Sequence, residues 1–185
     1  MSTHNQANLP PFAQGRHVDN SRSYMGSMMT FLVNSEQTNG AFSMTDLLSK
    51  PGNEPPAHIH DREDELFYVL EGRIDAYIGK EVFPAGPNEG VYLPKLVPHT
   101  FAILTPHLRM LILMSPGGLE GYFRDMSEPA RSLSLPEHAV TYAVVDMDHA
   151  TRAGREHGVS FLTPDDIRQQ MPPLRSSSRF NIAAQ

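Results

Sequence analysis

The stretch GNEPPAHIHDREDELFYVLEG, residues 52–72, decides the fold. His58 and His60 lie two positions apart, and on an extended segment such residues project to the same face. The intervening Asp61, Arg62, Glu63 and Asp64 read as a mostly solvated polar turn. That turn lets Glu65, which opens the apolar run to Leu70, point back toward the histidine pair. Gly52 and Gly72 bracket the unit where the chain must turn tightly. Two imidazoles and a carboxylate on one interior face make a pincer for a cation.

A further ligand should come from a neighbouring strand at similar depth. The candidate is His99, in GVYLPKLVPHTF (residues 90–101), because it opens an apolar strand as Glu65 does. Three neutral imidazoles and one carboxylate suit Fe, Ni, Co, Mn, Cu or Zn and leave coordination positions open for substrate or water. The expected ligand set is His58, His60, Glu65 and His99, holding one divalent transition metal ion. A lone histidine is usually structural, and His4, His17, His107, His138, His149 and His157 sit in polar or loop contexts that read as solvated.

Outward from this unit the pattern is strand-like. Met28 to Val33, Ala41 to Leu48, Leu66 to Leu70, Arg73 to Ile78, Gly90 to Leu93, Thr100 to Leu104 and Arg109 to Met114 are short β-branched or aromatic runs. They are separated by Gly72, Gly79-Lys80, Pro84 to Pro87 and Pro106, and Asn39-Gly40 marks a hairpin between the first two. Many short strands with no helix-length segment among them indicate an all-β barrel or sandwich. The period changes after that. Asp146 to His157 followed by Gly158, and Thr163-Pro164-Asp165-Asp166, predict two short helices. The expected division is an N-terminal arm over 1–23 outside the core, a barrel over 24–145, and a helical segment and tail over 146–185. No internal repeat is present, so one barrel is expected.

Composition narrows the function. The 185 residues include no cysteine, which removes disulfides, thiolate nucleophiles and sulfur-bound zinc and leaves nitrogen and oxygen as the strong metal donors. A net charge of -6 with no basic cluster argues against nucleic acid and anionic membrane as partners. There is no apolar run of membrane-spanning length and no secretory leader, so the cytoplasm is the expected location.

The spacing Gly, five residues, His-x-His, four residues, Glu, six residues, Gly matches the first motif of the cupin superfamily at every position. In a chain of this composition it would arise by chance about once in several thousand. The second cupin motif is matched at Pro94 and His99. Leu96 stands where the family has glycine, Ile103 where it has asparagine, and the opening glycine is displaced to Gly90. From Asn39 to Glu128 the chain resembles the bacterial single-cupin quercetin 2,3-dioxygenases. That resemblance implies a cupin fold, a double-stranded β-helix of jelly-roll type, and flavonol-cleaving chemistry with O2 and loss of carbon monoxide.

The leading expectation is therefore a metal-dependent dioxygenase. A substrate enol or phenol oxygen would bind the metal and lose its proton to Glu65, acting as ligand and base. Phe67 and Phe101 share strand parity with Glu65 and His99, and with Met44 they are the expected contacts to an aromatic substrate. A homodimer is expected. Two rivals use the same residues: an O2-independent isomerase or lyase of a carbonyl substrate, and a non-catalytic small-molecule-binding cupin.

Overall fold

The computed structural model describes residues 9–135 and 146–175. Two antiparallel sheets enclose the core. The larger runs in the order β11 (Ser127–Pro129), β1 (Ser21–Tyr24), β2 (Ser27–Val33), β3 (Ser43–Ser49), β10 (Leu108–Ser115), β5 (Asp64–Glu71), β8 (Gly90–Leu93). The smaller runs β12 (Val159–Phe161), β4 (His58–His60), β9 (His99–Ile103), β6 (Ile74–Ile78), β7 (Glu81–Ala85). The expected all-β architecture is present.

Period-two alternation aims the side chains. In β10, Leu108, Met110, Ile112 and Met114 are buried while Arg109, Leu111 and Leu113 are half-buried on the outer face. In β5, Glu65, Phe67 and Val69 point inward, and Leu66 and Tyr68 outward. One apolar cluster joins the two inner faces, with Phe31, Leu47 and Met110 from the larger sheet and Ile74, Ala76 and Ile103 from the smaller. Phe31 is 1% exposed; truncating such a side chain to alanine costs about 3–5 kcal/mol. Gly72 closes β5 at a φ of +88°, and a Cβ there would stand 2.4 Å from the His107 carbonyl oxygen, so only glycine fits.

Several boundaries differ from the sequence reading. Ser21–Tyr24, mostly within the expected arm, is a strand paired to both β2 and β11, because its polar residues meet neighbours that satisfy them, as in the Ser21–Thr30 hydroxyl pair at 2.7 Å. The β2–β3 pairing is antiparallel, but Asn39-Gly40 is not a two-residue turn. The connection includes a 3-10 turn over Ser35–Thr38, and Asn39 caps it in the left-handed region. Pro84 lies inside β7, which is a sheet edge and therefore tolerates a residue with no N–H. A six-residue helix, α1 (Glu120–Asp125), follows the barrel strands. Glu120 anchors its start by accepting the N–H groups of Ser35 and Gly118.

The two helices expected near the C-terminus form as α2 (Met147–His157), ended by Gly158 in the left-handed region, and α3 (Pro164–Gln170), capped by Thr163. Ile167, Met171 and Leu174 then pack with Ala57, Tyr77 and Ala102 of the smaller sheet, and Arg175 pairs with Asp75 at 3.1 Å. Among the described residues no helix is long and apolar enough to cross a membrane.

Candidate metal centre

Three local devices assemble the centre. β4 carries His58 and His60, and its antiparallel pairing with β9 sets His58 directly opposite His99. Glu65 opens β5 in the facing sheet. The loop before β4 is fastened to β9 by the fully buried Glu54, whose carboxylate accepts the N–H groups of Gly52 at 2.7 Å and Ile103 at 3.0 Å. Thr100 adds a hydrogen bond to the Pro55 carbonyl at 2.8 Å. Glu54 lies inside the decisive motif, yet its spacing gives no sign of this anchoring role.

One ligand nitrogen from each of His58, His60 and His99 lies within 4.8 Å of the others. Their ring centroids stand 4.8, 4.5 and 5.0 Å apart for the pairs 58/60, 58/99 and 60/99. Glu65 completes the cluster, with carboxylate oxygens 3.7 Å from His60 Nε2 and 3.4 Å from His99 Nε2. In His58 and His99, Nδ1 meets the carbonyl two residues earlier, Pro56 at 2.7 Å and Val97 at 3.0 Å. A carbonyl can only accept, so Nδ1 carries the proton and Nε2 presents a lone pair.

The fit to a metal rests on atoms that have nothing else to do. His60 is 3% exposed and neither ring nitrogen has a hydrogen-bond partner; His99 is 1% exposed and Nε2 has none. Buried polar atoms in folded proteins are rarely left so. A cation shared by these lone pairs and the Glu65 carboxylate would satisfy them, and nitrogen and oxygen donors suit the divalent transition metals.

The charge states are consistent with that use. Loss of hydration, reinforced by His99 and His60, holds His58 well below the usual histidine range, and burial likewise lowers His60. Burial alone would raise Glu65, but His60 foremost, with His99 and His58, brings its carboxyl down to about 2. In metal-free protein all three shifts have one sign: the unfolded chain binds more protons than the folded chain. The imidazole contribution is complete above about pH 6.5 and is lost as pH falls toward the folded values, and that of Glu65 is lost between about 4.5 and 2. Glu63, whose carboxyl burial pushes up to about 7, acts with the opposite sign over the same interval. The test therefore uses chelator-treated Glu63→Gln protein, which is expected to melt at a lower temperature at pH 5.5 than at pH 7.5, by about 2–4 °C per kcal/mol lost. An unchanged midpoint would show that the imidazoles are not depressed.

His58, His60 and Glu65 form one end of a pocket of about 580 Å³, mouth included; His99 is not among its lining residues. Phe67 and Phe101 line it, edge to face at 5.6 Å. Met44 is not among the lining residues. Leu47 and the other odd positions of β3 face inward, which leaves Met44 half-buried in an outer cross-strand row with Leu113, Leu66 and Tyr92. The pocket also takes in Tyr24, Tyr122 and Phe123, and Val159 and Phe161 from the segment expected to be helical and outside the barrel. Among the described residues no Lys or Arg lines it.

The acidic turn is less solvated than expected. Glu63 is 3% exposed, and burial pushes its carboxyl up to about 7. His17, His107 and His149 are exposed, whereas His157 is half-buried and paired to Asp125 at 2.7 Å. His4 and His138 lie outside the described residues. Leu96, where the second motif has glycine, adopts a φ of +64°, in the left-handed region that favours glycine, and donates its N–H to the His60 carbonyl at 2.8 Å. A leucine there carries about 1–2 kcal/mol of strain, against about 0.5–1 kcal/mol of extra chain entropy lost by glycine. Leu96→Gly is thus expected to stabilise the fold slightly, by up to about 1 kcal/mol. A drop in the denaturation midpoint would contradict it.

Residues 47–115, which span the cluster from β3 to β10, match the family described as Cupin domain. The fold of the chain is that of an all-β cupin. The chain is 23% identical over 101 residues to quercetin 2,3-dioxygenase of Bacillus subtilis (strain 168), a match covering 55% of this chain and 30% of that protein. It is 26% identical over 110 residues to polyketide synthase CurC of Streptomyces cyaneus, covering 58% of this chain and 70% of that protein. The match thus spans under a third of the dioxygenase's length. Among solved structures, KdgF from Halomonas sp. superposes on 51% of this chain and 83% of its own, with a TM-score of 0.46 and 19% identity.

Proposed function

We propose that this cupin domain is a metal-dependent dioxygenase that cleaves a flavonol or related enolisable hydroxylated aromatic with O2. The observation that carries the reading is the pairing of two opposite environments: a three-imidazole cluster whose His58 and His60 face the pocket beside an ionised carboxylate at one end, and an aromatic wall with no Lys or Arg among the described residues at the other. A pocket of that kind favours a flat, largely apolar body with its oxygens gathered at the metal end, and beyond that end the described residues place no Lys or Arg to pair with a second anionic group. The similarity to quercetin 2,3-dioxygenase supports the same reading.

His58, His60, His99 and Glu65 would hold one divalent metal, which when bound supplies an electrophilic centre for the substrate oxygen. Glu65, ionised and beside that position, takes the proton of the substrate hydroxyl. Phe67 and Phe101 shape the wall and keep water away. The test is metal analysis of protein purified without chelators, with oxygen uptake against flavonols and hydroxylated aromatic ketones. Uptake of O2 with loss of the flavonol chromophore is expected; turnover without oxygen consumption would assign the domain to O2-independent chemistry instead.

Self-association belongs to the same reading. The outer row Met44, Leu113, Leu66 and Tyr92, with Leu66 37% and Tyr92 59% exposed, supports a homodimer joined there. Sedimentation should give a dimer for the wild type and a monomer for Tyr92→Glu. A monomeric wild type would refute it.

A further inference from the structure

β12 carries two pocket residues into a sheet to which, by sequence, its segment has no evident connection. It pairs antiparallel with β4 so that Val159 opposes His60, Ser160 opposes Ile59 and Phe161 opposes His58. The strand is fixed at both ends by backbone hydrogen bonds, from the Asp61 N–H to the Gly158 carbonyl at 2.9 Å and from the Leu162 N–H to the Ala57 carbonyl at 3.0 Å. Alternation follows: Val159 is buried, Ser160 is exposed, and Phe161 turns back into the pocket. The Phe161 ring lies 6.3 Å from that of His58, tilted by 54°.

The other aromatic rings of the wall are already engaged. Phe67 packs on Phe101, and Phe123 packs edge to face on Tyr24 at 5.3 Å and on Tyr122 at 5.9 Å, all five being buried. Phe161 is only half-buried. Among the described Phe and Tyr residues of the wall it alone is not fully buried, although it packs against the apolar cluster, and it lies beside the histidine end.

We infer that Phe161 is the specificity-determining residue of the site: its half-buried side chain in the pocket wall is the surface against which an aromatic ring of the ligand lies, beyond the oxygens held at the histidine end. This rests on the reading that the pocket takes a flat aromatic ligand. Offset or edge-on ring contacts of this kind favour aromatic over aliphatic bodies. The C-terminal segment thereby selects the ligand, while the cupin domain holds its reactive end.

Two probes separate these parts: 3-hydroxyflavone, and maltol, which presents the same pair of oxygens without the aryl rings. Equilibrium binding is measured without oxygen, so that nothing turns over, on metal-loaded full-length wild type, Phe161→Ala and Phe161→Tyr, with metal content checked in each. Phe161→Ala is expected to weaken 3-hydroxyflavone about tenfold or more while leaving maltol within about twofold, and Phe161→Tyr should restore flavone binding. Undiminished binding of 3-hydroxyflavone by Phe161→Ala, or a parallel loss of maltol, would overturn the assignment and leave the aromatic reading standing. A metal-loaded wild type that binds maltol but not 3-hydroxyflavone would overturn the aromatic reading itself, and the assignment with it.

Discussion

Replacing His58 or His60 by alanine is expected to yield folded protein that retains almost no metal. Each change removes one nitrogen from a cluster in which no cysteine can substitute, and the remaining donors lie on separate strands that cannot close over the gap. The fold should survive. His60 has no hydrogen-bond partner to orphan, and His58 and His99 each release one backbone carbonyl, that of Pro56 and that of Val97, both on half-buried residues. His99→Ala should also weaken metal binding with the fold intact. Elemental analysis after gel filtration decides the matter. Near-stoichiometric metal in both the His58 and His60 variants would place the ion elsewhere in the chain.

Glu65→Gln is expected to separate holding the metal from reacting. The amide oxygen remains a weak donor, so much of the metal should stay. The variant has no carboxylate to accept the hydroxyl proton, so turnover should fall by about two to four orders of magnitude, the usual contribution of a positioned general base. The wild-type carboxyl, held at about 2 in the metal-free cluster, is ionised throughout the neutral range; so weak a base takes the proton only from a hydroxyl acidified by the metal it binds. Without oxygen, wild-type protein should shift the absorption of an added flavonol toward that of its anion. The Gln variant should bind the flavonol without that shift. A Gln variant that keeps its metal and turns over at nearly the wild-type rate would leave Glu65 a ligand only.

Much of the centre was legible in residues 52–72 because its geometry is local. Period-two alternation requires His58 and His60 to share a face, and a short turn returns Glu65 to it, so the motif carries its own three-dimensional meaning. His99 was legible for a related reason, as the first residue of an apolar strand. The second motif shows how far such reading extends. Leu96 departs from glycine in identity but not in conformation, because its backbone hydrogen bond to His60 imposes the turn that the side chain resists.

Where the reading fell short, the deciding contacts join residues far apart in the chain. Met44 was placed in the pocket by its chemistry, which is suited to either face; the register of β3 against β10 turned it outward. Glu54 and Glu63 look like ordinary solvated acids, and only the packing of the loop and turn around them encloses one as a backbone anchor and the other as a buried carboxyl with a raised pKa. Val159 and Phe161 lie almost a hundred residues beyond His60 in a segment without a motif, and no local pattern announces that they will pair with β4. The sequence by itself determined the all-β class and the four candidate ligands, since both rest on alternation and short-range turns. The tertiary structure alone decided which residues wall the pocket, because a sheet brings distant strands together by backbone hydrogen bonds that any sequence can make.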